Sequence, residues 1–134
     1  MKFLRFLLFP FSIAYYIVTS IRNFMFDIGF FKENSFTIPT ITVGNLSVGG
    51  TGKTPQIEYL IRLLKEKHSL SVLSRGYKRT TKKFILLNAA SSVEEVGDEP
   101  LQYFNKFKNI AVAVDTNRVN GIKTLIAAKD SEII

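Results

Sequence analysis

Gly44-Asn45-Leu46-Ser47-Val48-Gly49-Gly50-Thr51-Gly52-Lys53-Thr54-Pro55 narrows the possible folds more than any other stretch of the chain. The β-branched run Thr40-Ile41-Thr42-Val43 leads into it, and an amphipathic stretch leaves it. Strand, glycine-rich turn and helix in that order form a cradle for a nucleotide triphosphate. Gly49, Gly50 and Gly52 let the backbone curl so that several N–H groups converge on one anionic point. A helix opening at about Lys53 adds the partial positive charge of its N-terminus. Lys53 can reach the β- and γ-phosphates, and the Thr54 hydroxyl can ligate a magnesium ion. Ser47, Val48, Gly49, Gly50, Thr51, Gly52, Lys53 and Thr54 are therefore the expected ATP contacts. The general pattern is G-x-x-x-x-G-K-[ST], and Ser47 stands where its opening glycine would be. Gly44 and the Gly49-Gly50 pair can supply that flexibility. A glycine-rich turn with a chance Gly-Lys-Thr is the plain alternative, and the flanking strand and helix argue against it.

Downstream, Ile57, Leu60, Ile61 and Leu64 fall on one helical face, with Glu58, Arg62, Lys65, Glu66 and Lys67 on the remainder. His68 closes this stretch as a solvated helix-end residue. Leu70-Ser71-Val72-Leu73 reads as a strand running into Ser74-Arg75-Gly76-Tyr77-Lys78-Arg79. Ligands of open α/β sheets gather beyond the carboxyl ends of strands, where this loop is expected. Arg75 suits a phosphate and Tyr77 a sugar or base; a basic solvated turn before the next strand, Phe84–Leu87, is the alternative. A short helix is expected from Asp98 to about Phe107, with Asp98 as its N-cap and Pro100 in its first turn. Capping alone accounts for an acid there; the functional reading is a carboxylate that takes a proton from an attacking hydroxyl during phosphoryl transfer. Glu99 is the neighbouring candidate, which helix geometry is expected to aim elsewhere. Ile110-Ala111-Val112-Ala113-Val114 reads as a strand buried on both faces. Asp115-Thr116 then cap a helix carrying Val119, Ile122, Leu125 and Ile126 on one side, with Arg118 in its first turn, either near the site or merely exposed. Ser131-Glu132-Ile133-Ile134 resembles the opening of a further parallel strand.

The first 31 residues have a different character. Phe6 to Ile21 are 16 residues without a charge, and eight of the chain's twelve phenylalanines lie in residues 1–31. Pro10 interrupts the run, which is short for a membrane span. A basic, aromatic-rich stretch with interspersed Ser12, Tyr15, Tyr16, Thr19 and Ser20 suits an interfacial helix, with a span and a helix packed on the protein's own surface as alternatives. The expected organisation is a membrane-association segment over 1–31 and a nucleotide-binding domain over 32–134. Since a triphosphate site must face ATP, attachment is expected on the cytoplasmic face. Nucleotide-binding α/β domains need about five parallel strands with their crossovers, for which 134 residues are barely sufficient or cut short, so an incomplete domain is expected. The net charge of +7 favours an anionic partner such as nucleotide, nucleic acid or anionic lipid. Without cysteine there is no disulfide scaffold and no thiolate chemistry.

Taken together, these motifs resemble the amino-terminal part of the tetraacyldisaccharide 4'-kinase family. The resemblance rests on the apolar basic start, Gly44 through Pro55, Ser74-Arg75-Gly76-Tyr77, Gly97-Asp98-Glu99-Pro100, and Val114 through Arg118. The family's loop also has serine at the position of Ser47. It implies an α/β, P-loop NTPase-like three-layer fold with a mostly parallel sheet, preceded by the membrane-associated helix. It further implies transfer of the ATP γ-phosphate, with magnesium, to the 4'-hydroxyl of a tetraacyldisaccharide 1-phosphate lipid at the bacterial inner-membrane surface, giving lipid IVA. Asp98 and Lys53 carry over as catalytic residues, Thr54 as the metal contact, and Arg75, Tyr77 and Arg118 as substrate contacts. The family's paired-aspartate segment and its histidine partner to the catalytic aspartate lie farther along, so this stretch alone is expected to be inactive. A membrane-bound switch or partitioning ATPase is the alternative, but its signature lysine position is Val48 here. Intact Lys53 and Thr54 count against a non-catalytic adaptor. No nucleic-acid partner is expected, because the basic residues are dispersed and carry no recognition motif.

Overall fold

The computed structural model describes residues 2–44, 52–128 and 130–134, with side chains from residue 8 onward. Backbone contacts divide the chain into two units, Met1–Ser35 and Phe36–Ile134. The first holds one long helix, α1 (Lys2–Asp27), which continues through Pro10. Its aromatic and aliphatic side chains, among them Phe9, Phe11, Tyr15, Tyr16 and Phe24, are exposed. Gly29 turns the chain out of the helix, and Phe31 then meets Phe26 in a tilted ring contact with centres 5.2 Å apart. Among the described residues, no helix is long and apolar enough to cross a membrane.

The second unit is an α/β arrangement. Its elements are α2 (Lys53–Leu64), β1 (Ser71–Ser74), β2 (Ile85–Leu86), α3 (Val93–Val96), α4 (Asp98–Lys106), β3 (Ala111–Val114) and α5 (Arg118–Ala128). The sheet order is β1-β3-β2, with β1 parallel and β2 antiparallel to β3. The described sheet is thus small and mixed where a mostly parallel one was expected. The reason is local: residues 75–84 return without a crossover helix, and a parallel partner would need one. The expected strand Thr40–Val43 forms no ladder of its own. Instead Ile41 N–H donates to Ile134 O (2.8 Å) and Ile134 N–H to Pro39 O (3.1 Å). That is the parallel pattern about Thr40, and Ile133 in turn bridges Leu70 in parallel. Ile133 and Ile134 therefore lie between the segment that enters the nucleotide loop and β1.

Strand alternation sets the core. Val72, Val112 and Val114 pack with Ile61 of α2 and Tyr103 of α4. On the opposite face α5 covers Leu73 and Ala113, with Leu125 fully buried and Gly121 against Leu73. α2 and α4 are also tied by charge. Glu58, which the spacing places off the apolar face of α2, is nevertheless only 7% exposed. Its carboxylate accepts from Lys106 Nζ (2.6 Å), Arg62 Nη2 (2.9 Å) and Gln102 Nε2 (3.0 Å). An acid taken from water at this cost needs such partners. The Lys106 ammonium has the largest effect and holds the Glu58 carboxyl below its ordinary range, against the opposing effect of burial. A carboxyl with a depressed folded-state pKa stabilises above its ordinary value, and that stabilisation is lost as pH falls through the folded value. Glu58→Gln is therefore expected to lower the melting temperature at neutral pH and to lose part of the acid-side decline below about pH 4.5. Thermal unfolding from neutral pH to pH 3 measures both.

Candidate functional site

The helix that leaves the glycine-rich stretch begins where the pattern requires, at Lys53. Gly52 sits at its N-cap with φ 79° and ψ 18°, a left-handed geometry that glycine adopts without strain. Having no side chain, Gly52 leaves the outward-facing amides of the first turn available to an anion. Ser47, Val48, Gly49, Gly50 and Thr51 lie outside the described residues, so the account of the loop rests on Gly52, Lys53 and Thr54.

Thr54 is one residue into α2, and its hydroxyl donates to Glu99 Oε1 at 2.7 Å. The same oxygen accepts from the Tyr103 hydroxyl at 2.8 Å. Glu99 and Tyr103 are separated by one helical turn of α4, so one carboxylate joins α4 to the nucleotide-loop helix. Burial pushes the Tyr103 phenol well above its ordinary value, and the hydrogen bond to Glu99 acts in the same direction, so it remains a donor at neutral pH. A threonine hydroxyl beside a carboxylate is a hard-oxygen pair, which suits magnesium in both size and charge. No group of three or more His, Cys, Asp or Glu is placed to hold a metal among the described residues.

Asp98 immediately precedes Glu99 but does not occupy the cap position expected of it. The N-cap is Gly97 (φ 90°, ψ 160°), and Asp98 is the first helical residue, exposed, with its Oδ1 accepting from Glu99 N–H at 2.8 Å. The cap falls to Gly97 because the turn needs a positive φ and runs close to backbone: a Cβ there would lie 3.1 Å from Tyr77 O. That contact also brings the Arg75–Tyr77 loop beside the turn carrying Asp98. Thr80 N–H and Thr81 hydroxyl bonds to Glu94 O (2.9 Å) and Glu95 O (3.2 Å) hold the loop on α3. Arg75 is exposed, and Tyr77 is 75% exposed with Lys78 Nζ 5.4 Å from its ring centre.

Arg118 opens α5 and is exposed. It lines, with Thr40, Val43, Ile57 and Leu73, a cavity of about 160 Å³ beside α2. Asp115 and Thr116 lie before that helix. Asp115 is buried and accepts from Asn117 N–H (2.8 Å) and Asn120 Nδ2 (2.7 Å), while Asn117 makes the cap contact with Asn120 N–H. The structure thus places Lys53, Thr54 and the Asp98–Glu99 turn together, with the Arg75–Tyr77 loop alongside. Glu99, the neighbouring candidate expected to be aimed elsewhere, instead faces Thr54, and Tyr103 was not anticipated, although the i, i+4 spacing of the two was the available signal.

The profile of the family described as tetraacyldisaccharide-1-P 4'-kinase matches residues 4–134. A tetraacyldisaccharide 4'-kinase of Flavobacterium psychrophilum is 61% identical over 95% of this chain and 37% of its own length. The corresponding protein of Bacteroides thetaiotaomicron is 48% identical over 94% of this chain and 33% of its own length. The chain thus spans about a third of the length of these curated relatives. A crystal structure of LpxK from Aquifex aeolicus in complex with ATP is similar in fold, with a TM-score of 0.78 and 38% identity. That match covers 97% of this chain and 42% of the other.

Proposed function

The chain belongs to the tetraacyldisaccharide-1-P 4'-kinase family, and on that premise we propose that it forms the nucleotide-binding part of a lipid kinase. The substrate in this reading is ATP, and the acceptor is the 4'-hydroxyl of a tetraacyldisaccharide 1-phosphate lipid, giving lipid IVA. The fold reading is a P-loop three-layer domain, with helices α2 and α4 on one sheet face and α5 on the other. The observation that carries the proposal is the 2.7 Å hydrogen bond from Thr54 to Glu99. It brings the Asp98 turn to the helix whose N-terminus is built for phosphate.

In the proposed reaction the sugar hydroxyl oxygen bonds to the γ-phosphorus, the bond to the β,γ-bridging oxygen breaks, and ADP leaves with that electron pair. Magnesium bound at Thr54 would neutralise phosphate charge as it develops. Lys53 and the first-turn amides of α2 hold the triphosphate; Ser47, Val48, Gly49, Gly50, Thr51 and Gly52 complete its cradle. Asp98 orients the hydroxyl and accepts its proton. Arg75 and Tyr77 contact the disaccharide, and Arg118 its phosphate side, so all three are substrate contacts in this reading. Incubation of the full-length enzyme with terminally labelled ATP and the disaccharide lipid tests the proposal. Label on the lipid supports it; label released only as inorganic phosphate, whether or not lipid is present, would identify a switch-type ATPase and refute it.

We further propose that residues 1–31 attach the enzyme to the cytoplasmic face of the inner membrane. Exposed Phe9, Phe11, Tyr15, Tyr16 and Phe24 on α1 support this reading, as does the net charge of +7 toward anionic lipid. The protein is expected to co-sediment with anionic phospholipid vesicles at low salt and to remain in the supernatant once residues 1–31 are deleted. Equal sedimentation of the two forms would contradict the assignment.

A further inference from the structure

We propose that Tyr103 is a positioning residue that sets the affinity of the nucleotide loop for a divalent cation. Its hydroxyl holds the Glu99 carboxylate against the Thr54 hydroxyl. The inference rests on the reading of Gly52-Lys53-Thr54 as an ATP–magnesium site and deepens it.

Three observations carry it. Tyr103 is 1% exposed and packed in the core with Ile61, Val96 and Val112, so its ring cannot swing away. Its hydroxyl lies 2.8 Å from Glu99 Oε1, the same oxygen that accepts from Thr54 at 2.7 Å. Glu99 itself is only half-buried, at the surface end of α4. Without a second donor its side chain can take other rotamers and release Thr54. A threonine hydroxyl can give its lone pair to a hard cation while its proton goes to a carboxylate, provided that carboxylate stays in place. Tyr103 supplies that constraint from the core. Partners one bond removed from a metal commonly change its affinity by about tenfold or more.

Tyr103→Phe removes one hydroxyl and leaves the packed ring. The measurement is binding of a fluorescent ATP analogue to the purified protein, with magnesium and with EDTA. The expected result is about a tenfold loss of affinity in magnesium, an equal rise in the half-saturating magnesium concentration, and no change in EDTA. Lys106→Met is the control: it breaks the Lys106–Glu58 tie between the same two helices and touches neither Thr54 nor Glu99. It is expected to lower the melting temperature and leave the magnesium dependence unaltered. A loss for Tyr103→Phe that is equal in magnesium and EDTA, no loss in either, or the same magnesium effect from Lys106→Met would overturn the inference. If the unmodified protein binds no nucleotide under either condition, the ATP reading falls and this inference with it. Nucleotide bound alike by both forms overturns the positioning role alone.

Discussion

Replacing Lys53 by alanine in the full-length enzyme is expected to lower phosphoryl transfer by at least about 10³-fold. Lys53 is the first residue of α2, directly after the left-handed Gly52, where the helix presents its positive end. A triphosphate seated there carries several negative charges, and further charge gathers on the β,γ-bridging oxygen as the bond to the γ-phosphorus breaks. Backbone amides hold those oxygens at fixed positions, whereas a lysine on a flexible stem can follow the charge as it shifts. Alanine is the better helix former, so weakened helix propensity is not a competing cause of the loss. Initial rates at saturating lipid, with melting temperature measured alongside, separate the outcomes. Near-normal rates would remove the phosphate assignment, and a rate loss matched by collapse of thermal stability would make Lys53 structural.

The second large effect is expected at Asp98. In the full-length enzyme Asp98→Ala should lower kcat by about 10²–10⁴-fold while the KM for ATP stays within about threefold. Asp98 does not cap α4, because Gly97 does, so the capping explanation for this acid loses its ground. What it contributes locally is one bond from Glu99 N–H, at an exposed first turn where an acid also suits the helix dipole. Those terms amount to at most about 1 kcal/mol, too little to explain a large loss of activity. Steady-state kinetics against each substrate distinguish the roles. Equal losses in kcat and in ATP affinity would indicate a structural acid.

Much of the architecture was legible because period and punctuation agreed. The apolar spacing of Ile57, Leu60, Ile61 and Leu64 gave α2 its inner face, and Ala111 through Val114 form the strand expected from a short apolar run. The Thr40–Val43 segment was harder, because extended chain becomes a ladder only through its neighbours, and its neighbour is Ile134, about ninety positions away. The burial of Glu58 was not legible for the same kind of reason. It sits beside the apolar face of α2, and the groups that make its burial tolerable, Gln102 and Lys106, come from a different helix. Glu99 was misjudged through a shift of one residue. Starting α4 at Asp98 instead of capping it with Asp98 turns each side chain by about 100°, which directs Glu99 toward Thr54. The candidate residues were therefore proposed from type and order, while the partners the structure gives them depended on a helix register that local sequence does not set.

A crystal structure of the protein with magnesium and a non-hydrolysable ATP analogue would test the central claim most directly. The β- and γ-phosphates are expected on the amides of Gly52 and Lys53, the cation on the Thr54 hydroxyl, and the Asp98 carboxylate facing the γ-phosphate across a gap sized for one sugar hydroxyl. A triphosphate bound away from the start of α2, or an Asp98 carboxylate turned from it with no room for an acceptor between them, would contradict it.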